Sequence, residues 1–332
     1  MKICIITCQN AVNHGARLQC YALSHWLQKQ GHEVEVIDYR PSCSLDAKPW
    51  FWPGLSIKKW VKLFLYYPAR KRNIERRKYF DAFSHKYIPL TKQEYNNIGD
   101  LRRNPPTADL FIAGSDQIWN TTLSNGSDPA YYLDFGSSDI RRESFAASFG
   151  TEELKHGTEE FVKTNLMRFD KITVREQSAL NILKFLGFEG TVQEDPVFLL
   201  SATEWDEIAD GIGSGEKYLL VYDFYVSEDI KFEAQKIAYS KNLKIYNISH
   251  KEFSYADKNF IYAGPETFVS LIKNATYVIS NSFHGTAFAM IYGVPFKVFD
   301  RPDGLNIRMH DLLERHGYMN NHNIFTNLTN NE

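Results

Sequence analysis

The sequence has little cysteine and no uninterrupted apolar run that approaches the length of a membrane-spanning helix. Its four cysteines all lie between Cys4 and Cys43, and their spacing matches no common zinc pattern. We therefore expect reduced, mostly buried thiols, as in a cytosolic protein. The apolar run after Met1 reaches polar residues too soon for the core of a secretory signal, which also favours a cytoplasmic location.

An excess of charge of one sign is absent as well, because the formal net charge is -2. This balance gives no reason to expect nucleic acid as a partner. No two aspartates are separated by a single residue, so a metal-held nucleotide diphosphate is not indicated, and we expect no metal and no cofactor. The loop at residues 10–16 lacks the complete Gly-x-Gly-x-x-Gly spacing, so a dinucleotide site is not supported.

Strand and helix patterns alternate along the chain, which predicts an α/β protein. The predicted strands are 2–8, 34–38, 109–113, 144–148, 171–174, 218–222, 243–248 and 296–299, and the clearest predicted helices are 152–167, 228–240, 265–273 and 307–315. We expect two Rossmann-like doubly wound domains that face a cleft, formed by residues 1–205 and 206–332. The alternating glycines at 211–215 precede a strand, which favours an interdomain linker over a phosphate loop.

Residues 277–290 predict a buried strand, a tight polar turn and a helix. The turn contains Ser282, His284, Gly285 and Thr286. Free N–H groups and the positive end of the helix dipole make such a turn a seat for an anion. His284 beside that seat can transfer a proton near neutral pH, although a helix cap or a packed core histidine is an equally good interpretation of the turn alone.

Two further polar residues follow predicted strands, where open α/β sheets bind their ligands. Asp116 follows strand 109–113, and Arg175 follows strand 171–174. For Asp116 the alternative is a turn or capping residue, and for Arg175, as for Arg308, it is a surface ion pair.

Residues 49–83 differ from the rest in composition, because aromatic side chains alternate there with many lysines and arginines and few acids. Such segments bind anionic membrane surfaces. The competing hypothesis is a helical decoration that packs its aromatics on the first domain.

Several motifs follow one another along the chain. They are residues 13–23 (NHGARLQCYAL), 114–120 (GSDQIWN), 174–176 (VRE), 195–196 (DP), 282–286 (SFHGT), 293–296 (GVPF), and Arg308 before 311–313 (DLL). In order and spacing they resemble the motifs of the polysaccharide pyruvyl transferase family over almost the whole chain. The sequence departs from the family at His14, where an aromatic residue is commoner, and in the segment 49–83.

The resemblance implies a fold like that of B-type glycosyltransferases and the transfer of pyruvate from phosphoenolpyruvate to sugar hydroxyls, commonly as a cyclic ketal. The general acid is then His284 and the base Asp116. The residues for phosphoenolpyruvate are Arg175, Arg308, Ser282, Gly285 and Thr286, and those for the acceptor are Asn13, His14, Gly15, Gln117 and Trp119. The implied partners are phosphoenolpyruvate and a sugar or lipid-linked oligosaccharide, with peripheral contact to the inner membrane face through residues 49–83.

Two other functions remain open at the level of sequence. A two-domain cleft with a histidine-bearing turn also suits a glycosyltransferase that uses a nucleotide sugar. The many aromatic residues also suit a glycan-binding protein without catalysis.

Overall fold

The computed structural model describes residues 1–41 and 57–323, with the backbone alone for residues 57–70 and 322–323. The hypothesis of membrane contact through residues 49–83 therefore falls largely outside the described side chains. Among the described helices, none combines the length and the apolar character needed to cross a membrane.

The first sheet has five parallel strands, and two of its central strands are buried along almost their whole length, as expected when helices cover both faces. The strands are β1 (Lys2–Ile6), β2 (Glu33–Tyr39), β3 (Leu90–Tyr95), β4 (Leu110–Ala113) and β5 (Arg141–Ser144). Their spatial order is β3-β2-β1-β4-β5. Single bridges extend this sheet towards a pair formed by β6 (Thr173–Val174) and β7 (Thr191–Val192).

The second sheet has six parallel strands wound in the same sense. The strands are β8 (Tyr218–Tyr222), β9 (Lys244–Asn247), β10 (Lys258–Asn259), β11 (Tyr277–Ser280), β12 (Phe296–Phe299) and β13 (His322–Asn323). Their order is β10-β9-β8-β11-β12-β13. Both sheets therefore start at a central strand, wind to one side and then return to the other, which is the doubly wound topology. The predicted fold class, with two Rossmann-like domains, is confirmed.

Helices cover the faces of both sheets. They are α1 (His14–Lys29), α2 (Ile57–Tyr87), α3 (Ile98–Arg103), α4 (Glu159–Leu166), α5 (Gln177–Leu186), α6 (Ala202–Asp206), α7 (Glu228–Lys241), α8 (Pro265–Lys273), α9 (Phe283–Ile291) and α10 (Ile307–Arg315). Side-chain caps start the two helices nearest the cleft. Asn13 accepts from the amide of Ala16 at the start of α1, and Ser282 accepts from the amide of Gly285 at the start of α9.

Two predicted elements differ from the structure. The prediction of a strand at 144–148 is wrong, because β5 ends at Ser144 and Ala146 adopts a φ of 51°, which a continuous strand does not allow. The helix predicted at 152–167 begins only at Glu159, after Gly157 with a φ of 85°. The strand β3 was not predicted, since its sequence LTKQEY is mostly polar and occupies a sheet edge.

A single cluster of buried apolar residues runs from the first sheet into the second. At its centre the indole of Trp205 in α6 packs against the ring of Tyr21 in α1 at 5.7 Å and that of Phe288 in α9 at 4.7 Å. The helix α10 also returns to the first domain, where Asp311 accepts from the amide of Gln177 at 3.2 Å. The domain boundary predicted at 205/206 lies within α6 and remains a prediction.

Candidate active site

A cavity of about 390 Å³ lies where the carboxyl ends of strands from both sheets meet. It is lined by Asn13, Asp116, Gln117, Phe224, Tyr225, Ser282, Phe283, His284, Arg301 and Arg308. The first three follow β1 and β4, and the next six follow β8, β11 and β12. Each domain thus contributes the loops that in doubly wound folds carry ligand sites.

His284 is the second residue of α9, and its imidazole is held from two sides. A Cβ added to Gly15 would overlap the imidazole, so the start of α1 lies against the ring. On the other side the buried Nε2 faces Oδ2 of Asp195 at 3.6 Å. The ring is thus packed with Nδ1 towards Gly15 and Nε2 towards Asp195, while the residue borders the cavity.

Asp195 is buried and connects three side chains. Its Oδ2 accepts from Arg175 and from the hydroxyl of Ser115, and the same oxygen faces His284. Burial raises the pKa of this carboxyl, but Arg175 and His284 outweigh that effect, and the pKa of Asp195 lies well below its ordinary value. Asp195 therefore stays ionised and can orient the imidazole of His284.

Arg175 lies behind the cavity instead of lining it. Its exposed fraction is 1%, it pairs with Asp195, and its guanidinium carbon lies 4.7 Å from the ring centre of Phe283. Arg175 thus contacts a side chain of the cavity wall and is not itself a lining residue. The sequence predicted Arg175 as a contact for phosphoenolpyruvate, whereas in the structure it supports Asp195.

Arg308 in α10 is the buried cation that does line the cavity. Its Nε has no hydrogen-bond partner among the described residues, and its terminal nitrogens face the side-chain amide of Gln117, whose oxygen can accept from Nη1 at 3.2 Å. Burial, together with the nearby charge of Arg175, lowers the pKa of Arg308 to about 10. A buried cation without a neutralising carboxylate bonded to it is prepared to receive an anion.

Asp116 occupies a strained position directly after β4. Its φ is 81°, a value that non-glycine residues rarely adopt, and its Oδ1 accepts from the amide of Gln117 at 2.8 Å. The side chain is half-buried and borders the same cavity as His284. A carboxylate and an imidazole from different domains therefore border the same cavity.

Several predicted site residues lie elsewhere. His14 bonds with both ring nitrogens, to the hydroxyl of Tyr222 at 3.1 Å and to the carbonyl of Ala263 at 3.0 Å. Burial, followed by the charge of Arg76, lowers the pKa of His14 to about 3. The indole of Trp119 is fully buried and donates to the carbonyl of Tyr131. Neither side chain reaches the cavity.

The α9 residues predicted to bind phosphoenolpyruvate divide into two groups. Ser282 borders the cavity. The amides of Gly285 and Thr286 are used inside the turn, since they donate to the side chain and the carbonyl of Ser282, respectively. The first two amides of α9, those of Phe283 and His284, have no hydrogen-bond acceptor among the described residues, as is usual at a helix N-terminus.

A second group of cavity residues was not predicted from the sequence. The loop after β8 contributes Phe224 and Tyr225, and the loop after β12 contributes Arg301. Arg301 donates to the hydroxyl of Tyr225 at 3.0 Å and to Asp303 at 2.6 Å. These residues follow predicted strands just as Asp116 does, so the same sheet-edge argument would have found them.

Among the described residues no cluster of three histidine, cysteine or acidic side chains is arranged to hold a metal ion.

Comparison with protein families gives a match over most of the chain. The family model described as polysaccharide pyruvyl transferase matches residues 13–303 of the chain. No curated protein matches it.

Solved structures of similar shape share little sequence with the chain. The UDP-GlcNAc 2-epimerase of Methanocaldococcus jannaschii is 14% identical with a TM-score of 0.49, and the alignment covers 90% of this chain and 83% of that one. The heptosyltransferase WaaC of E. coli is 11% identical with a TM-score of 0.41, and the alignment covers 95% of this chain and 100% of that one.

Proposed function

The chain belongs to the polysaccharide pyruvyl transferase family, and from this premise we propose that it transfers pyruvate from phosphoenolpyruvate to two hydroxyls of one sugar, as a cyclic ketal. The sugar belongs to a surface polysaccharide or to its precursor, which is free or linked to a lipid. The observation that carries the proposal is the position of Arg308, a buried cation without a bonded carboxylate, in the same cavity as His284 and Asp116.

The donor is a compact anion with a phosphate and a carboxylate, so it needs cations and free N–H groups. The guanidinium of Arg308 offers planar, two-point contacts, and the first amides of α9 add the positive end of a helix dipole. Arg175 acts indirectly, because its ion pair with Asp195 keeps that carboxylate charged next to His284.

The chemistry requires three proton transfers and two new carbon–oxygen bonds. His284 protonates the methylene carbon of phosphoenolpyruvate, which becomes a methyl group, while Asp116 takes the proton of the first attacking hydroxyl. That hydroxyl oxygen bonds to the central carbon. The second hydroxyl oxygen then bonds to the same carbon, the carbon–oxygen bond to phosphate breaks, and inorganic phosphate leaves with the second hydroxyl proton.

Incubation of the enzyme with phosphoenolpyruvate and candidate glycans tests the proposal. We expect release of inorganic phosphate together with a mass increase of the glycan that corresponds to a pyruvate ketal. The variant Arg308→Ala serves as the negative control. Stabilisation by a nucleotide diphosphate and glycosyl transfer from a nucleotide sugar, without phosphate release from phosphoenolpyruvate, would instead identify a glycosyltransferase.

A further inference from the structure

The outer part of the cavity differs in chemistry from the part around Arg308. Here Arg301 is neutralised by Asp303 at 2.6 Å, and the hydroxyl of Tyr225 donates to the same carboxylate. The guanidinium carbon of Arg301 lies 5.8 Å from the ring centre of Phe224 and 5.5 Å from that of Tyr225. This group, Phe224, Tyr225, Arg301 and Asp303, is called the aromatic rim below.

The backbone fixes the aromatic rim before any ligand arrives. The buried carboxylate of Asp223 accepts from the amide of Tyr225 at 2.8 Å and from that of Ser227 at 2.6 Å. Between them Val226 has a φ of 58°, which is unusual for a β-branched residue. Asn281, next to the α9 turn, donates to Asp223 and accepts from the amide of Phe224. The rim and the histidine-bearing turn are thus one connected unit.

We propose that the aromatic rim is the subsite for the acceptor, and that its occupant is an uncharged pyranose ring. This inference rests on the proposed function. A sugar presents an apolar ring face and a periphery of hydroxyls, which suits an aromatic side chain flanked by hydrogen-bond donors. Tyr225 lines the cavity and is 38% exposed. Arg301 uses Nη2 for Tyr225 and Asp303, which leaves Nη1 to donate to a sugar hydroxyl.

Charge decides which ligand occupies which part of the cavity. The donor is anionic and gains most from a cation to which no carboxylate is bonded, which describes Arg308. The pair of Arg301 and Asp303 has no net charge and therefore attracts an anion much less strongly. A neutral polyol loses nothing at a neutralised pair, since its hydroxyls need only donors and acceptors. The acceptor subsite thus lies on the second domain, not at His14 or Trp119.

Saturation-transfer NMR with methyl pyranosides tests the subsite. The panel contains the methyl glycosides of galactose, glucose, mannose and N-acetylglucosamine, and phosphoenolpyruvate affinity is measured separately by calorimetry. We expect at least one pyranoside to bind the native protein, and Tyr225→Ala to weaken that binding by about tenfold or more. The matched control is Tyr239→Ala, because Tyr239 is 92% exposed on α7 in the same domain. Tyr225→Phe keeps the ring and is expected to keep sugar binding.

The outcomes separate this inference from the proposed function. If Tyr225→Ala weakens phosphoenolpyruvate binding as strongly as Arg308→Ala does, the aromatic rim belongs to the donor site and the inference fails. It also fails if no pyranoside of the panel binds, if Tyr225→Ala binds sugar like the native protein, or if Tyr225→Phe loses it. If the native protein binds a pyranoside through Tyr225 but does not bind phosphoenolpyruvate, the subsite stands and the proposed donor is wrong.

Discussion

At the scale of single residues, the imidazole of His284 is unusually constrained for a side chain that borders a cavity. Gly15 limits it on one side and Asp195 faces it on the other. Both neighbours fix the orientation of the imidazole, and a fixed orientation is what proton transfer to a specific carbon requires.

The first prediction concerns His284→Ala. We expect turnover to fall by roughly 10²–10⁴-fold, the usual contribution of a general acid, while phosphoenolpyruvate still binds through Arg308. Steady-state kinetics and calorimetry measure the two quantities. His156→Ala is the control, because His156 is exposed and does not line the cavity. Native turnover in folded His284→Ala protein would remove His284 from the mechanism.

The second prediction compares Arg308→Ala with Arg175→Ala. Loss of Arg308 removes a charged donor from the cavity, and we expect the Kd for phosphoenolpyruvate to rise by about 10–100-fold, since bonds to charged groups contribute about 1.5–3 kcal/mol. Loss of Arg175 leaves Asp195 buried without its cation, and we expect the free energy of unfolding to fall by about 3–5 kcal/mol. Calorimetry and urea unfolding distinguish the two, and equal effects of both variants on the Kd would contradict the placement of Arg175 outside the cavity lining.

The sequence predicted the positions of site residues better than their roles. The strand-end rule found Asp116 and Arg175, yet it could not show that Arg175 contacts the cavity wall without lining the cavity. Motif membership marked His14 and Trp119 as contacts for the acceptor, although both are buried with their polar atoms bonded. Side-chain direction depends on tertiary packing, which a linear pattern does not contain.

At the scale of elements, the start of α1 and the start of α9 approach each other across the domain junction. Gly15 permits the approach, because any side chain there would overlap the imidazole of His284. The third prediction is that Gly15→Ala displaces this ring and lowers turnover about as much as His284→Ala does. Steady-state kinetics of both variants measure it.

A double variant provides the control for Gly15→Ala. If the alanine acts only through the imidazole, Gly15→Ala with His284→Ala is no slower than His284→Ala alone, because the two changes share one target. A further, additive loss in the double variant would mean that Gly15 acts through the fold of α1 instead.

The fourth prediction concerns the pH dependence that His14 gives to the junction of α1 with the second domain. The fold lowers the pKa of His14 from 6.5 to about 3, so between these values the unfolded chain binds more protons. The contribution of His14 to the free energy of unfolding is therefore fully present above pH 6.5. It is lost as the pH decreases from there, by about 2 kcal/mol at pH 5. Urea unfolding at pH 7 and pH 5 measures it, and His14→Gln, which cannot titrate, is expected to lose correspondingly less. Equal losses in both proteins would contradict a buried neutral His14.

Several elements with a clear hydrophobic pattern were predicted to the residue, among them β8, β12, α8 and α10. The polar edge strand β3 was missed because its partner strand, not its own composition, holds it in the sheet. Residues 144–148 were predicted as a strand from their mostly apolar composition, but the left-handed Ala146 bends the chain there.

At the scale of the whole molecule, the two domains share a cluster of buried apolar side chains. The alternation of strands and helices predicted two sheets, but nothing in it showed that α1, α6 and α9 would meet around Trp205. Contacts between elements distant in the chain are set by three-dimensional packing, which is why the sequence predicted the domains and not their junction.

The last prediction follows from this shared cluster. Proteins with several domains often unfold in steps. Here, however, unfolding one domain alone would expose Trp205 and its neighbours, at a free-energy cost of about 1.5–3 kcal/mol for each large side chain. We expect one urea transition, coincident by far-UV circular dichroism and tryptophan fluorescence.

Trp205→Ala removes the shared ring and should separate the transition into two. Trp119→Ala removes an equally buried indole from the separate core cluster of the first domain, so it should lower stability by about 3–5 kcal/mol without separating the transition. Two transitions in the native protein, or the same behaviour in both variants, would mean that the junction does not couple the domains.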